Sequence, residues 1–218
     1  MKNLGIVITD GVGFRNFILT DFIKEAKSNF DNAIILSCLP KSVYEDLNLN
    51  CEIIELDVFN EKFINWFYRK AKEVAHLQLY KKNNFGINDN FNNNKTNSKS
   101  NRGFATRFIM KFTSVFHSEK WILRYNSWQQ KSFKNNVITK AYKELLSDNK
   151  ITSLFFTHQR PPFIAPLIYC AEKLNIKTAA FIFSWDNLAS KGRMAGNFDN
   201  YLVWSDLMKR ELLYFYNK

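Results

Sequence analysis

The sequence predicts an α/β fold: a mainly parallel sheet with helices on both faces. Two observations carry this expectation. Short, uninterrupted apolar runs alternate with longer segments of helical periodicity, and the runs are apolar throughout rather than alternating with polar residues. Polar residues then follow the ends of three of those runs, "LGIVIT", "TSLFFT" and "TAAFIF".

The elements follow in order. Residues 4–9 form a β-branched first strand, and "DGVGFRN" (10–16) reads as a loop. Leu19, Phe22, Ile23, Ala26 and Phe30 keep helical spacing. "AIILSCL" and "CEIIELDVF" read as the second and third strands, and 61–80 as a long amphipathic helix. Residues 83–102 turn rich in Asn, Lys and Ser, which predicts a flexible insert. Residues 103–133 read as helical, aromatic and basic, and 135–149 as another helix. "TSLFFT" is the fourth strand, "PPFIAPLIYCAEKLN" a helix with proline near its first turn, and "TAAFIF" and "YLVW" the last two strands. The closing "SDLMKRELLYFY" is a helix with Ser205 or Asp206 as its cap.

Composition bounds the function. The 218 residues are 46% hydrophobic, enough to bury a core, and Lys plus Arg exceed Asp plus Glu by 31 to 20. That balance favours anionic partners, although Lys and Asn codon preference would produce the same excess. Cys38, Cys51 and Cys170 have no metal-like spacing, and an odd, scattered set fits a reducing compartment. The opening apolar run is too short for a signal peptide, and no run of about 18 apolar residues exists to span a membrane. No recognised nucleic-acid motif accompanies the charge, so nucleic acid is not expected as a partner.

In open parallel sheets, ligands bind beyond the carboxyl ends of the strands. Three polar segments fall there. In "DGVGFRN", Gly11 and Gly13 permit a tight turn and close approach of a ligand to backbone. A dinucleotide fingerprint would need glycine where Asn16 stands and an acid where Cys38-Leu39-Pro40 follows the second strand. An aspartyl-nucleophile phosphatase would need a second Asp two residues from Asp10, where Ile8 and Val12 stand. A loop shaping an acceptor cleft, or simple turn chemistry, remains. "THQR" offers His158 as a general base and Arg160 as a phosphate or carboxylate holder. "SWDNLASKGR" offers Trp185, Asp186 as base or hydroxyl acceptor, and Asn187, Lys191 and Arg193 as anion holders. Asx-turn chemistry with solvated charges would explain the same residues. A joining turn needs only a few residues, and this loop has about a dozen.

The aromatic stretch spaces Phe104, Phe108, Phe112 and Phe116 four apart, with Arg107 and Lys111 beside them. Glu119 is the only acid between Arg102 and Lys134. Such a basic amphipathic helix suits an anionic membrane surface, for which Phe104, Arg107, Phe108, Lys111 and Phe112 are the candidates. A core-facing helix with ordinary solvated cations is the other reading.

At "VGFRNFI", "FSWDNLASKGR" and "FDNYLVWSDLMKRELLYFY", the chain resembles the amino-terminal, acceptor-binding half of a bacterial two-domain glycosyltransferase of the GT-B type. The resemblance is nearest to those acting on cell-surface or lipid-linked glycans, and it covers nearly the whole chain. It implies a Rossmann-like single domain over 1–218 and glycosyl transfer from a nucleotide sugar to an acceptor hydroxyl. It also implies that the donor is held mainly by a second domain, either absent here or separately encoded. Gly13, Phe14, Arg15 and Asn16 would face the cleft, with His158 and Asp186 on its opposite lips. His158 or Asp186 would deprotonate or orient the acceptor, while Arg15, Lys191 and Arg193 would hold an acceptor or donor phosphate. The expected partners are a glycan or lipid-linked acceptor and the inner face of a plasma membrane. No cofactor and no metal is expected, since no aspartate pair of the D-x-D sort ends a strand. Two alternatives stand beside this reading: a non-catalytic membrane- or partner-binding module, and half of a nucleotide-sugar epimerase.

Overall fold

The structure is a computed structural model and describes residues 1–217. It contains a six-stranded, all-parallel sheet: β1 (Asn3–Ile8), β2 (Asn32–Ser37), β3 (Glu52–Glu55), β4 (Ser153–Phe156), β5 (Lys177–Phe181) and β6 (Asn200–Leu202). The spatial order is β3-β2-β1-β4-β5-β6. This is the Rossmann-like α/β fold that the alternation of apolar runs and helices predicts.

Contacts cluster into two compact units. The first comprises Met1–Asn60, Asn135–Phe183 and Ala195–Leu202, and contains the sheet. Every residue of β1 is buried, because helices cover both faces. On one face Ile6, Ile8, Ile35 and Phe155 pack beneath α1 (Gly11–Phe17) and α2 (Phe22–Asn29), through Phe17, Ile23 and Ala26. Phe17 touches Phe22, Phe155 and Phe181 edge-on at 5.0–5.2 Å. In the same unit α7 (Val137–Asp148) and α8 (Ala165–Lys173) pack on each other, with Cys170 Sγ donating to Thr139 O (3.3 Å), and α8 packs against β5. The short edge strand β6 is pinned to β5 by Asp199, whose Oδ2 accepts from Thr178 N and Oγ1 (2.8 and 2.9 Å), while Asp199 N donates back to Thr178 Oγ1 (3.0 Å).

The second unit is helical and comprises Glu61–Lys134, Ser184–Met194 and the chain from Val203 on. It holds α3 (Phe63–Tyr80), α4 (Phe85–Asn93), α5 (Asn101–Thr113), α6 (Glu119–Phe133), α9 (Asn187–Ser190) and α10 (Asp206–Tyr216). Ser205 caps α10, accepting from Met208 N (3.4 Å). Among the described residues no helix is long and apolar enough to cross a membrane.

Three local expectations change. The "DGVGFRN" segment is helix α1 rather than a loop, because the Asp10 carboxylate accepts from Val12 N and Gly13 N and so caps a helix start. Part of the Asn-rich insert at 83–102 is helical: Asn84 Oδ1 accepts from Ile87 N (2.8 Å), and Ile87 and Phe91 are buried. The basic aromatic stretch is two helices, α5 and α6, broken at 114–118.

Candidate functional site

β1 and β4 are neighbours at the centre of the sheet, with β2 and β3 beyond one and β5 and β6 beyond the other. Their outgoing connections therefore part in opposite directions, the arrangement that leaves a crevice at the carboxyl ends. The register pairs Val7 with Phe156, and the ladder runs one step further through Thr157 N donating to Val7 O (3.2 Å). Asp10 and His158 follow within three residues of that pair, so the register itself brings them together.

His158 Nδ1 lies 3.0 Å from Asp10 Oδ2. The carboxylate is held from four sides: Thr9 Oγ1 donates to Oδ2 (2.9 Å), and Val12 N and Gly13 N donate to Oδ1 (3.0 and 2.9 Å). Burial alone would raise the Asp10 pKa, but the Gly13 amide, the His158 and Thr9 hydrogen bonds and the imidazole together bring it below its ordinary value. Asp10 is thus ionised at neutral pH and only accepts, which puts the imidazole proton on Nδ1 and leaves the Nε2 lone pair available. His158 itself is moved below its ordinary value: burial outweighs the Asp10 hydrogen bond and charge, and the Arg160 charge acts in the same direction as burial. A neutral, tautomer-fixed imidazole is a proton acceptor.

The ring is fixed by its neighbours. It stacks on Phe183 at 4.2 Å, 20° from parallel. Gln159 anchors that partner: its Oε1 accepts from Phe183 N (3.3 Å), and its carbonyl accepts from Ala195 N (3.1 Å). Cys38, which follows β2, is no rival nucleophile, because burial and then the Asp10 charge push its thiol up to about 12.

The two glycines separate. A Cβ on Gly13 would stand 2.5 Å from Thr157 Oγ1, and that hydroxyl donates to Val7 O (2.9 Å), so Gly13 is explained by its contact with Thr157, the residue after β4. A Cβ on Gly11 would meet nothing within 4 Å. Arg15 is exposed on α1 with Nε donating to Asn16 Oδ1 (3.4 Å), and Arg160 lies two residues beyond His158, half-buried.

The other site candidates belong to the helical unit. The chain leaves the sheet unit after Phe183, contributes Ser184–Met194 to the helical unit, and returns at Ala195. Here the loop's length has a structural cause: it is a packed excursion. Asn90 Nδ2 donates to Ser190 O (2.8 Å), Tyr216 Oη donates to Gly192 O (3.1 Å), and a Cβ on Gly192 would collide with Glu73. Arg193 is ion-paired with Glu119 and donates to Tyr216 O (3.1 Å), with a side chain only 9% exposed. Its guanidinium is thereby occupied within the protein, where the sequence suggested an anion holder. Asn187 is buried, Asp186 accepts from Ser184 Oγ (2.5 Å), and Lys191 and Trp185 are exposed, Trp185 at 75%.

Sequence reasoning placed His158 but missed Asp10, Thr9 and Phe183 as its supports. The available signal was an acid just past one long apolar run and a histidine just past another. Among the described residues no three His, Cys, Asp or Glu side chains gather as metal ligands. No protein-family model, no curated protein and no solved structure matches this chain.

Proposed function

We propose that the sheet unit is the acceptor-binding, base-supplying part of a glycosyltransferase. The observation that carries the reading is the Asp10–His158 pair at the sheet's switch point, 3.0 Å apart; an ionised Asp10 only accepts, so the proton belongs on Nδ1 and Nε2 is left as base. That pair suits removal of a proton from a hydroxyl. The choice of a glycan or lipid-linked hydroxyl, and of a nucleotide sugar as donor, rests on the resemblance carried by "VGFRNFI" and "FSWDNLASKGR". The acceptor oxygen bonds the anomeric carbon while its proton passes to His158 Nε2. The carbon–oxygen bond to the diphosphate breaks, and the nucleoside diphosphate leaves with the electron pair. Asp10 keeps the imidazole in its acceptor tautomer and stabilises the imidazolium that forms. Of the two candidate bases His158 is preferred, because its accepting nitrogen is defined by a second residue.

The test reads the His158 ring by NMR while oligosaccharides, polyprenyl-phosphate-linked sugars and a panel of nucleotide sugars are titrated in turn. A hydroxyl-bearing acceptor is expected to shift the ring saturably, and nucleotide sugars to leave it unmoved at micromolar concentration. Micromolar donor binding at Asp10–His158, or steady transfer by this chain alone, would overturn the acceptor assignment. With a donor domain supplied, His158→Ala is expected to slow transfer by about 10²–10⁴-fold.

A further inference from the structure

The helical unit carries a feature that the dyad does not use. On α5, Gly103, Thr106, Ile109 and Thr113 are buried. At about 100° per residue, Phe104, Phe108 and Lys111 project on the opposite side of that helix. Phe104 and Phe108 are each 59% exposed.

Phe108 belongs to a closed circuit of rings from three helices. Phe67 of α3 stacks on Phe108 (6.4 Å), and Phe108 on Phe112 (5.9 Å). Phe112 meets Trp121 of α6 (6.3 Å), Trp121 meets Trp128 (6.3 Å), Trp128 meets Tyr68 (5.8 Å), and Tyr68 returns to Phe67 (5.8 Å). Stacked contacts at Phe108 and edge-on or tilted contacts around the rest of the circuit hold these part-exposed rings against one another, so they form an apolar platform rather than a fraying edge.

The charges around it have one sign. Arg107 lies over the Phe104 ring (4.6 Å) and Arg124 over Trp121 (4.6 Å), while Lys111 and Lys120 are exposed on the same two helices. The nearby acids are already taken: Glu119 by Arg193 and Glu61 by Arg69 (2.7 Å). Aromatic side chains interleaved with cations, with the local carboxylates neutralised, match an interface that is apolar beneath and anionic above.

We infer that the α3–α5–α6 aromatic platform docks the protein on an anionic bilayer surface, with Phe104 and Phe108 entering the headgroup–acyl boundary and Lys111 and Arg124 engaging lipid phosphates. This inference rests on the helical unit alone and stands or falls independently of the dyad.

Vesicle flotation tests it, using phosphatidylcholine with and without phosphatidylglycerol. The wild-type chain should float with the anionic vesicles, weakly with the neutral ones, and less as salt rises. Lys111→Glu with Arg124→Glu should weaken anionic-vesicle binding by about 25-fold or more, at roughly fivefold per cation removed. Phe104→Asp with Phe108→Asp should abolish flotation; losing the Phe67 and Phe112 ring contacts should lower its unfolding temperature by a few degrees while its far-ultraviolet circular dichroism stays that of the folded wild type. Flotation of either variant like wild type would overturn the proposal, as would equal wild-type binding to neutral and anionic vesicles. So would a wild-type dimer in sedimentation equilibrium that disappears in the Phe variant without vesicle binding, since the platform would then meet a second copy.

Discussion

The imidazole of His158 and the carboxylate of Asp10 stand 148 residues apart in sequence and 3.0 Å apart in space, at the boundary where the strand order of the sheet reverses. Burial lowers the proton affinity of His158, and Asp10 partly restores it. In an NMR titration His158 should therefore titrate below its ordinary 6.5, and lower still in Asp10→Asn, which removes the carboxylate charge. A wild-type value above 6.5 would show that ion pairing outweighs burial, and the neutral-base reading would fail.

The same shifts fix the sign of the pH dependence of stability. Both folded-state values lie below the unfolded ones, 6.5 for His158 and 3.8 for Asp10. Between each folded value and its unfolded counterpart the unfolded chain binds more protons, so stability rises with pH there and is lost as pH falls. The urea midpoint should drop as pH is lowered below 6.5, the ordinary value of His158, and His158→Gln should flatten that drop. An unchanged slope in the variant would remove His158 from the account.

Gly13 and Gly11 make a paired test of packing against ligand approach. Gly13→Ala places a methyl group 2.5 Å from a Thr157 hydroxyl that is itself bound to Val7 O, so it should destabilise by about 1–3 kcal/mol. Gly11→Ala enters open space in the first turn of α1 and should be neutral or stabilising by up to about 1 kcal/mol. Thermal unfolding measures both; equal effects would refute the Thr157 contact.

Arg193 and Lys191 separate structural from exposed charge. Arg193→Ala removes the partner of Glu119, a donor to Tyr216 O and a cation over the Tyr216 ring, and should cost about 2–4 kcal/mol by chemical denaturation. Arg193→Lys should recover only part of this, because one ammonium cannot reproduce the planar fork. Lys191→Ala should fall within about 0.5 kcal/mol of wild type. A neutral Arg193→Ala would return that residue to the anion-holding role the sequence suggested.

Much of the architecture was legible in the amino-acid order. Apolar runs such as "LGIVIT" and "TSLFFT" specify strands buried on both faces, hence a parallel sheet between helices, because this information is local and periodic. The four-residue spacing likewise placed Phe104, Phe108 and Phe112 on one helix, but not Phe116, which lies past the end of α5. The same local reading misplaced α1, since "DGVGFRN" becomes helical only when the Asp10 carboxylate caps it, a choice that two glycines disguise. The tertiary structure decided the rest. That Asp10 meets His158 depends on β1 lying beside β4, a pairing between distant strands that no periodicity encodes. That Arg193 is occupied by Glu119 depends on where the excursion Ser184–Met194 packs. A sequence states which side chains are polar and how often they recur, whereas strand pairing and helix packing determine which partner each one finds.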